Sequence, residues 1–412
     1  MFKLGTRLTA AAAAAASMVI GAPAMASLKF ELVDYNNSVS GTAAAQGFKI
    51  ATDYWASVLT TSADVGDVTV RLETGYNPLP TGVIGSTGST RYLVGASDIY
   101  EQLGATGVGA LDAKANANLS PLTAAGGLQA ITSGYNNPAT KTGVNWGTKI
   151  FDNDNSVNNT QMVVNGATLK ALGFTGFSPV QRDAQVNFSS NFAFDFNPSD
   201  GITAGTFDFI GVAIHEIGHA LGFVSGVDQY DTGSAAGFNR DSAGGSGGFS
   251  TLDLFRYSAD PTDVAPGTGA ALDLAVGSAA YFSIDGGLTQ FNGNSMFSTG
   301  RNHGDGQQAS HFKDLGGCTG QIGIMDPNFC FGQMGEVSAT DLAAFDALGW
   351  NLNFDILANT DYSVTSAQIY NQFAPSVPEP ATWTMMLLGF GIIGGATRRR
   401  GKLGARISYP VK

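Results

Sequence analysis

Residues 212–223, V-A-I-H-E-I-G-H-A-L-G-F, restrict what this chain can fold into more than any other stretch. His215 and His219 are four apart, so on a helix both imidazoles lie on one face and can reach one metal ion. Glu216 then points beside the metal, where it can take a proton from a water activated there and pass it to a leaving amine. Asp208 can cap the helix, which runs through Phe223, with Gly222 marking its end. Ile210, Ile214, Ile217 and Leu221 form its apolar side. A catalytic zinc takes three protein ligands, so the fold has to bring a third one to this helix from elsewhere.

Few residues can serve. A histidine three residues after the glycine is the compact solution, but that position is Ser225. No glutamate occurs between Glu216 and Glu336, which nearly closes the route through a later glutamate. Asp228 and Asp231 remain open without a supporting pattern. Of the four histidines, His303 in G-R-N-H-G-D-G reads as a solvated loop residue. His311 stands in A-S-H-F-K-D-L, fourteen residues before Met325 in I-G-I-M-D-P, where Asp326-Pro327 favours a chain reversal.

H-E-x-x-H-x-x-G-F, a long insertion, S-H-aromatic and a methionine before a turn together resemble the leishmanolysin branch of the metzincin zinc proteases. The resemblance implies that His311 is the third zinc ligand and that Met325 belongs to a methionine turn beneath the metal. Ordinary core packing suits Met325 in either case. It also implies a zincin-like α/β (α+β) fold: a twisted sheet and the active-site helix in an N-terminal subdomain, then a loop-rich C-terminal subdomain. The resemblance is strongest over 209–226 and 310–350. The chain departs from that branch in its longer insertion and far fewer cysteines. G-F-K-I-A-T-D-Y-W-A-S-V-L and the strand after it are similar to bacterial exported proteases.

The two ends carry addresses. Lys3 and Arg7, an alanine-rich apolar stretch and A-P-A-M-A-S read as a signal peptide over 1–26, cleaved after Ala26. Near the other end, V-P-E-P is followed by an apolar run of about 17 residues, short for a membrane span, and then Arg398-Arg399-Arg400. This segment, within 373–412, resembles the PEP-CTERM sorting signal of bacteria that make extracellular matrix. That implies export, transient contact with the inner membrane, recognition by exosortase-type machinery and a destination at the cell surface or matrix. The tail beyond the arginines is longer than the pattern leads one to expect.

Between residues 27 and 380 lie all 33 acids and only 13 bases, a net charge near −20. Nucleic acid is therefore excluded as a partner, because neutralising phosphates requires basic residues. Cys318 and Cys330 are the only cysteines, and export predicts a disulfide between them, bracing the turn that holds Met325. No cysteine precedes the zinc motif, so a propeptide thiol cannot block the metal. Asp152 and Asp154 in F-D-N-D-N-S-V-N-N have calcium-like spacing but lack the full loop pattern, and a polar turn is the preferred reading. No nucleophile elbow, phosphate loop or dinucleotide fingerprint occurs.

Periodicity predicts a helix over about 42–60, a strand in D-V-T-V-R-L-E-T-G-Y, and a strand or turn then a short helix in 159–174. A strand is expected through D-A-Q-V-N-F-S-S-N-F-A-F-D-F, with Phe188, Phe192 and Phe194 near the core. T-L-D-L-F-R-Y-S-A-D and A-A-Y-F-S-I-D-G-G-L-T-Q-F-N-G resemble strands, and R-D-S-A-G-G-S-G-G-F-S an exposed loop. A helix with a Ser338/Asp341 capping box is expected before Gly349, and a strand or linker from Asn351 to Val377. The chain is expected to divide into an N-terminal catalytic subdomain, 27–226, and a C-terminal one, 227–372. The expectation is a monomeric exported zinc endopeptidase acting on protein or peptide. Two alternatives are an inactive matrix or adhesion protein on a protease-like scaffold and a zinc hydrolase of cell-wall peptides.

Overall fold

The computed structural model describes residues 25–233, 248–258, 269–318 and 320–375. Residues 1–24 of the expected signal peptide, the glycine-rich loop around 240–247 and the sorting tail from 376 lie outside them. Met25 and Ala26, the last two residues of the expected signal peptide, open the first strand and pair with Ser62 and Thr61.

Everything is arranged around the helix Phe209–Ala220, which is buried almost all round. Asp208 caps it, its carboxylate accepting from the Gly211 amide at 3.0 Å. Regular α-helix stops at Ala220, three residues short of the expected end, and Gly222 follows at φ +120°, a conformation glycine adopts without strain. The terminal carbonyls, left without partners inside the helix, are taken by distant side chains. Asn165 Nδ2 donates to His219 O at 2.9 Å, and Thr168 Oγ1 and Trp350 Nε1 donate to Leu221 O at 3.0 and 2.8 Å. The helix Ala43–Val58 packs alongside, and its Trp55 Nε1 donates to Ile214 O at 3.0 Å.

A six-stranded mixed sheet flanks these helices. Its order is Asn351–Leu352, Leu59–Ser62, Met25–Asp34, Val68–Asn77, Ala184–Ser189, Gly85–Ser89. The three central long strands run parallel, and Gly85–Ser89 closes one edge antiparallel to Ala184–Ser189. Buried residues alternate along Val68–Asn77, the period-two pattern of a half-covered strand. Phe188 and Phe48 pack edge-on, with ring centroids 5.2 Å apart, beneath Phe209. The fold is thus a mixed α and β architecture.

A second sheet, ordered Tyr281–Phe282, Arg256–Ser258, Ala271–Leu274, Ala130–Gly134, Asn145–Asp152, draws strands from both sides of residue 226. The boundary expected there does not separate two layers. The long insertion after the H-E-x-x-H motif adds strands to a sheet begun before it.

Several local expectations need correction. The strand expected through 183–196 breaks after Ser189, and Phe194–Asp195 instead pairs in parallel with Phe207–Asp208. Of the two strand-like stretches in the insertion, only Arg256–Ser258 and Tyr281–Phe282 are extended. The segment expected as strand or linker contains the helix Ser366–Phe373. Its signal was present: Thr365 and Gln368 form a reciprocal capping box.

The helix Ala339–Ala347 carries the expected Ser338/Asp341 capping box and brings Asp346 to Asp112 of the helix Ala110–Ala117. Both are buried. Burial pushes the Asp112 carboxyl up, and burial together with the charge of Asp112 pushes Asp346 well above the usual carboxylate range. The pair therefore holds a proton when folded at a pH where the unfolded chain has lost it. Its contribution to stability falls as pH rises from about 4, the ordinary carboxylate value, through the raised folded range. Asp346→Asn, which keeps the acceptor for the Leu352 amide, is expected to raise the melting temperature at pH 8 by roughly 2 °C or more, and by less at pH 5. Thermal melts at both pH values check this, and an equal shift at both would count against the pair.

Candidate metal centre

His215 and His219 project from the motif helix, one turn apart. His311 arrives from the far end of the insertion, and the three rings converge. The Nε2 atoms of His219 and His215 are 3.1 Å apart, those of His219 and His311 3.1 Å, and those of His311 and His215 3.3 Å. Two nitrogens bound to one tetrahedral zinc ion at 2.0–2.1 Å would be about 3.3 Å apart, so the spacing fits a shared cation. Each ring turns its other nitrogen to a backbone carbonyl: His215 Nδ1 to Ile324 O at 2.8 Å, His219 Nδ1 to Phe223 O at 2.7 Å and His311 Nδ1 to Gln308 O at 3.1 Å. Those contacts set the tautomer with the proton on Nδ1 and leave three Nε2 lone pairs facing one point. Burial lowers His215 to about 3 and His219 to about 4, and drives His311 well below the ordinary histidine range, with neighbouring imidazoles adding to the shift for His215 and His311. Neutral imidazole is the form that binds metal. Among the described residues this is the one group of three or more histidine, cysteine or acidic side chains placed to hold an ion.

How His311 crosses 92 residues to reach His219 is visible at Ser225. The Ser225 amide donates to Ser310 Oγ at 2.8 Å. The residue where a compact motif would carry its own histidine thus holds the neighbour of His311. Asp228, an open candidate for the third ligand, instead accepts from the amides of Ala309 at 2.7 Å and Ser310 at 3.2 Å and from the Ser310 hydroxyl. Asp253 closes the other side, accepting from Ser225 Oγ at 2.6 Å and the Gly226 amide at 2.8 Å. Arg256, 1 % exposed, donates to Ser298 O at 2.9 Å and Ala309 O at 3.4 Å, fastening the segment that leads into His311.

Met325 lies in a turn against the same helix, its sulfur 2.6 Å from where a β-carbon on Gly218 would sit. Asp341 holds that turn by accepting from the amides of Ile324 at 2.8 Å and Met325 at 3.1 Å. Its capping-box role and its grip on the turn are one arrangement. The disulfide Cys318–Cys330 is present, with Cα atoms 5.6 Å apart, and brackets the turn.

Glu216 is not one of the group of three and sets its carboxylate against the edge strand Gly85–Ser89. Thr87 Oγ1 lies 2.8 Å from both Glu216 Oε2 and the Glu216 carbonyl. A β-carbon at Gly85 would come within 2.7 Å of Glu216 Oε1, so this position has to be glycine for the carboxylate to sit here. Burial raises the carboxyl to about 7, against the Thr87 hydrogen bond, which lowers it. A group that changes protonation near neutrality can both accept and return a proton. The three histidines, Glu216, the edge strand and Phe329 line a cleft of about 800 Å³. Thr87 and Gly85 escaped the sequence reading because I-G-S-T-G-S-T has no apolar alternation, and only strand pairing places it.

His303 and Asp231 lie outside the triad. His303 is exposed, as expected of a loop residue, but not free: its ring stacks on Trp146 at 3.5 Å, and its amide donates to Asp231 Oδ1 at 2.8 Å. Asp152 accepts from Asn158 Nδ2 at 3.0 Å, and Asp154 pairs with Lys141, an arrangement of a self-satisfied polar turn.

Residues 376–400 match the family model of the PEP-CTERM protein-sorting motif. No curated protein and no solved structure matches the chain. No helix among the described residues is long and apolar enough to cross a membrane. The matched segment is an export and sorting signal, and the chain is an exported protein addressed to the cell surface through exosortase machinery.

Proposed function

We propose that this chain is a zinc endopeptidase of the leishmanolysin-like metzincin kind, with His215, His219 and His311 as zinc ligands and Glu216 as general base. The observation that carries the reading is the convergence of three Nε2 atoms, from buried His215 and His311 and half-buried His219, in a cleft that Glu216 also lines. Zinc held there would polarise a peptide carbonyl and make water acidic enough to attack it near neutral pH.

The chain's own residues supply the rest. Gly85–Ser89 is an edge strand whose outer side has no partner strand among the described residues, so an extended peptide can lie along it by backbone hydrogen bonds. Thr87 holds Glu216 beside that peptide, where the carboxylate takes the proton of the attacking water and delivers it to the departing nitrogen. The helix, clamped by Asp208, Trp55 and Asn165, keeps both histidines in place without rearrangement. The mature secreted protein is expected to carry one zinc per chain and cleave an unfolded protein substrate internally, to lose cleavage with a chelator and to regain it with added zinc. Metal analysis with a casein-type assay tests this. Full zinc content with no turnover of any protein or peptide would leave the inactive-scaffold reading in its place.

A further inference from the structure

We propose that Arg301 receives a carboxylate of the substrate, so that the cleft selects peptides with an acidic group at that point. This deepens the endopeptidase reading and rests on it for the identity of the ligand as a peptide.

The chain carries 33 acids against 21 bases, and most of the cations among the described residues are spoken for. Among the described residues, Lys29, Lys49, Arg71, Lys114, Lys141, Lys170, Arg182 and Lys313 each pair with an aspartate or glutamate. Arg256 is buried on carbonyls. Arg301 is exposed, lines the cleft that holds the three histidines, and has no hydrogen-bond or ion-pair partner among the described residues. In a chain with this excess of carboxylates, a guanidinium does not go unpaired for want of acids.

The backbone around Arg301 is fixed on both sides. Asp231, 2 % exposed, accepts from the amides of Asn302 and His303 at 2.8 Å each. The Gly300 amide donates to Gln307 O at 3.0 Å, and the Thr299 amide donates to Asp305 Oδ1 at 3.0 Å. The His303 ring lies flat on Trp146, with 4° between their planes. These contacts hold residues 299–307 in one shape and leave the Arg301 side chain as the part still seeking a partner. A guanidinium presented this way matches a carboxylate through two parallel hydrogen bonds, and a fixed loop lowers the ordering cost of binding. The carboxylate is either an Asp or Glu side chain or the free C-terminus of the peptide.

The test uses the full mature protein and quenched peptides differing at single positions as Glu, Gln or Lys, with amidated ends, plus a neutral peptide with a free C-terminal carboxylate. Wild type is expected to prefer a Glu peptide or the free carboxylate. Arg301→Gln should lose roughly fivefold in kcat/KM on the preferred peptide, through KM, with neutral peptides unchanged, and Arg301→Glu should move the preference to Lys. Preference for Glu in amidated peptides assigns a side chain, and preference confined to the free end assigns the terminus. Turnover with no charge ranking, or a ranking that Arg301→Glu leaves unmoved, overturns the proposal while sparing the endopeptidase reading. Fluorescence anisotropy of the same peptides on metal-free protein separates the two: charge-selective binding that reverses in Arg301→Glu, together with no turnover of any of them by the zinc-loaded protein, keeps Arg301 and sinks the peptidase reading.

Discussion

Glu216→Gln is expected to abolish peptide hydrolysis, by about 10²–10⁴-fold, while the protein keeps its zinc and its melting temperature. The two halves of this result come from different contacts. The metal would be held by three Nε2 atoms, and Glu216 contributes no atom to that set. Its carboxylate lies against Gly85 and Thr87. Glutamine fits the same space and can still accept the Thr87 hydroxyl proton, so folding is unaffected. An amide cannot take a proton from water near pH 7, so chemistry stops. Among the described residues lining the cleft, the other acid, Asp228, is engaged with Ala309 and Ser310 and does not take its place. Glu216→Gln with undiminished kcat would remove the general base from the proposal, and parallel loss of zinc would mean that Glu216 serves the metal site instead.

His311→Ala is expected to weaken zinc binding by at least about 100-fold, more than the loss of an outer contact that merely orients a ligand, and His303→Ala to leave it unchanged. His311 is buried and shares its Nε2 spacing with both helix histidines. His303 stacks on Trp146 and turns its Nδ1 to Asp231. Zinc stoichiometry and competition with a chelator on both variants decide it. Metal loss from His303→Ala with retention in His311→Ala would overturn the ligand set. Metal retained in both would point to an oxygen donor from the insertion.

The helix that carries His215 and His219 was legible because its information is local. Spacing along one helix face depends on 3.6 residues per turn, and Asp208, His215, Glu216, His219 and Gly222 all lie within fifteen residues. The capping boxes at Ser338 and Thr365 are equally local, and the second, with the amphipathic helix Ser366–Phe373 behind it, was as legible as the first. The third histidine became legible by elimination among four histidines and by resemblance, with no spacing rule behind it.

By itself the sequence determined the helix with its two histidines and glutamate, the disulfide available to two cysteines, the acidic balance and the sorting tail, because each is set by neighbours in the chain or by composition. Only the tertiary structure decided that Ser310, beside His311, closes onto Ser225 between Asp228 and Asp253, and that the insertion extends a sheet begun by residues 130–152. It alone set Glu216 against Gly85 and Thr87 and left Arg301 in the cleft without a partner among the described residues. Each of those depends on hydrogen bonds and packing between residues tens to more than a hundred positions apart, and no local periodicity encodes such pairings.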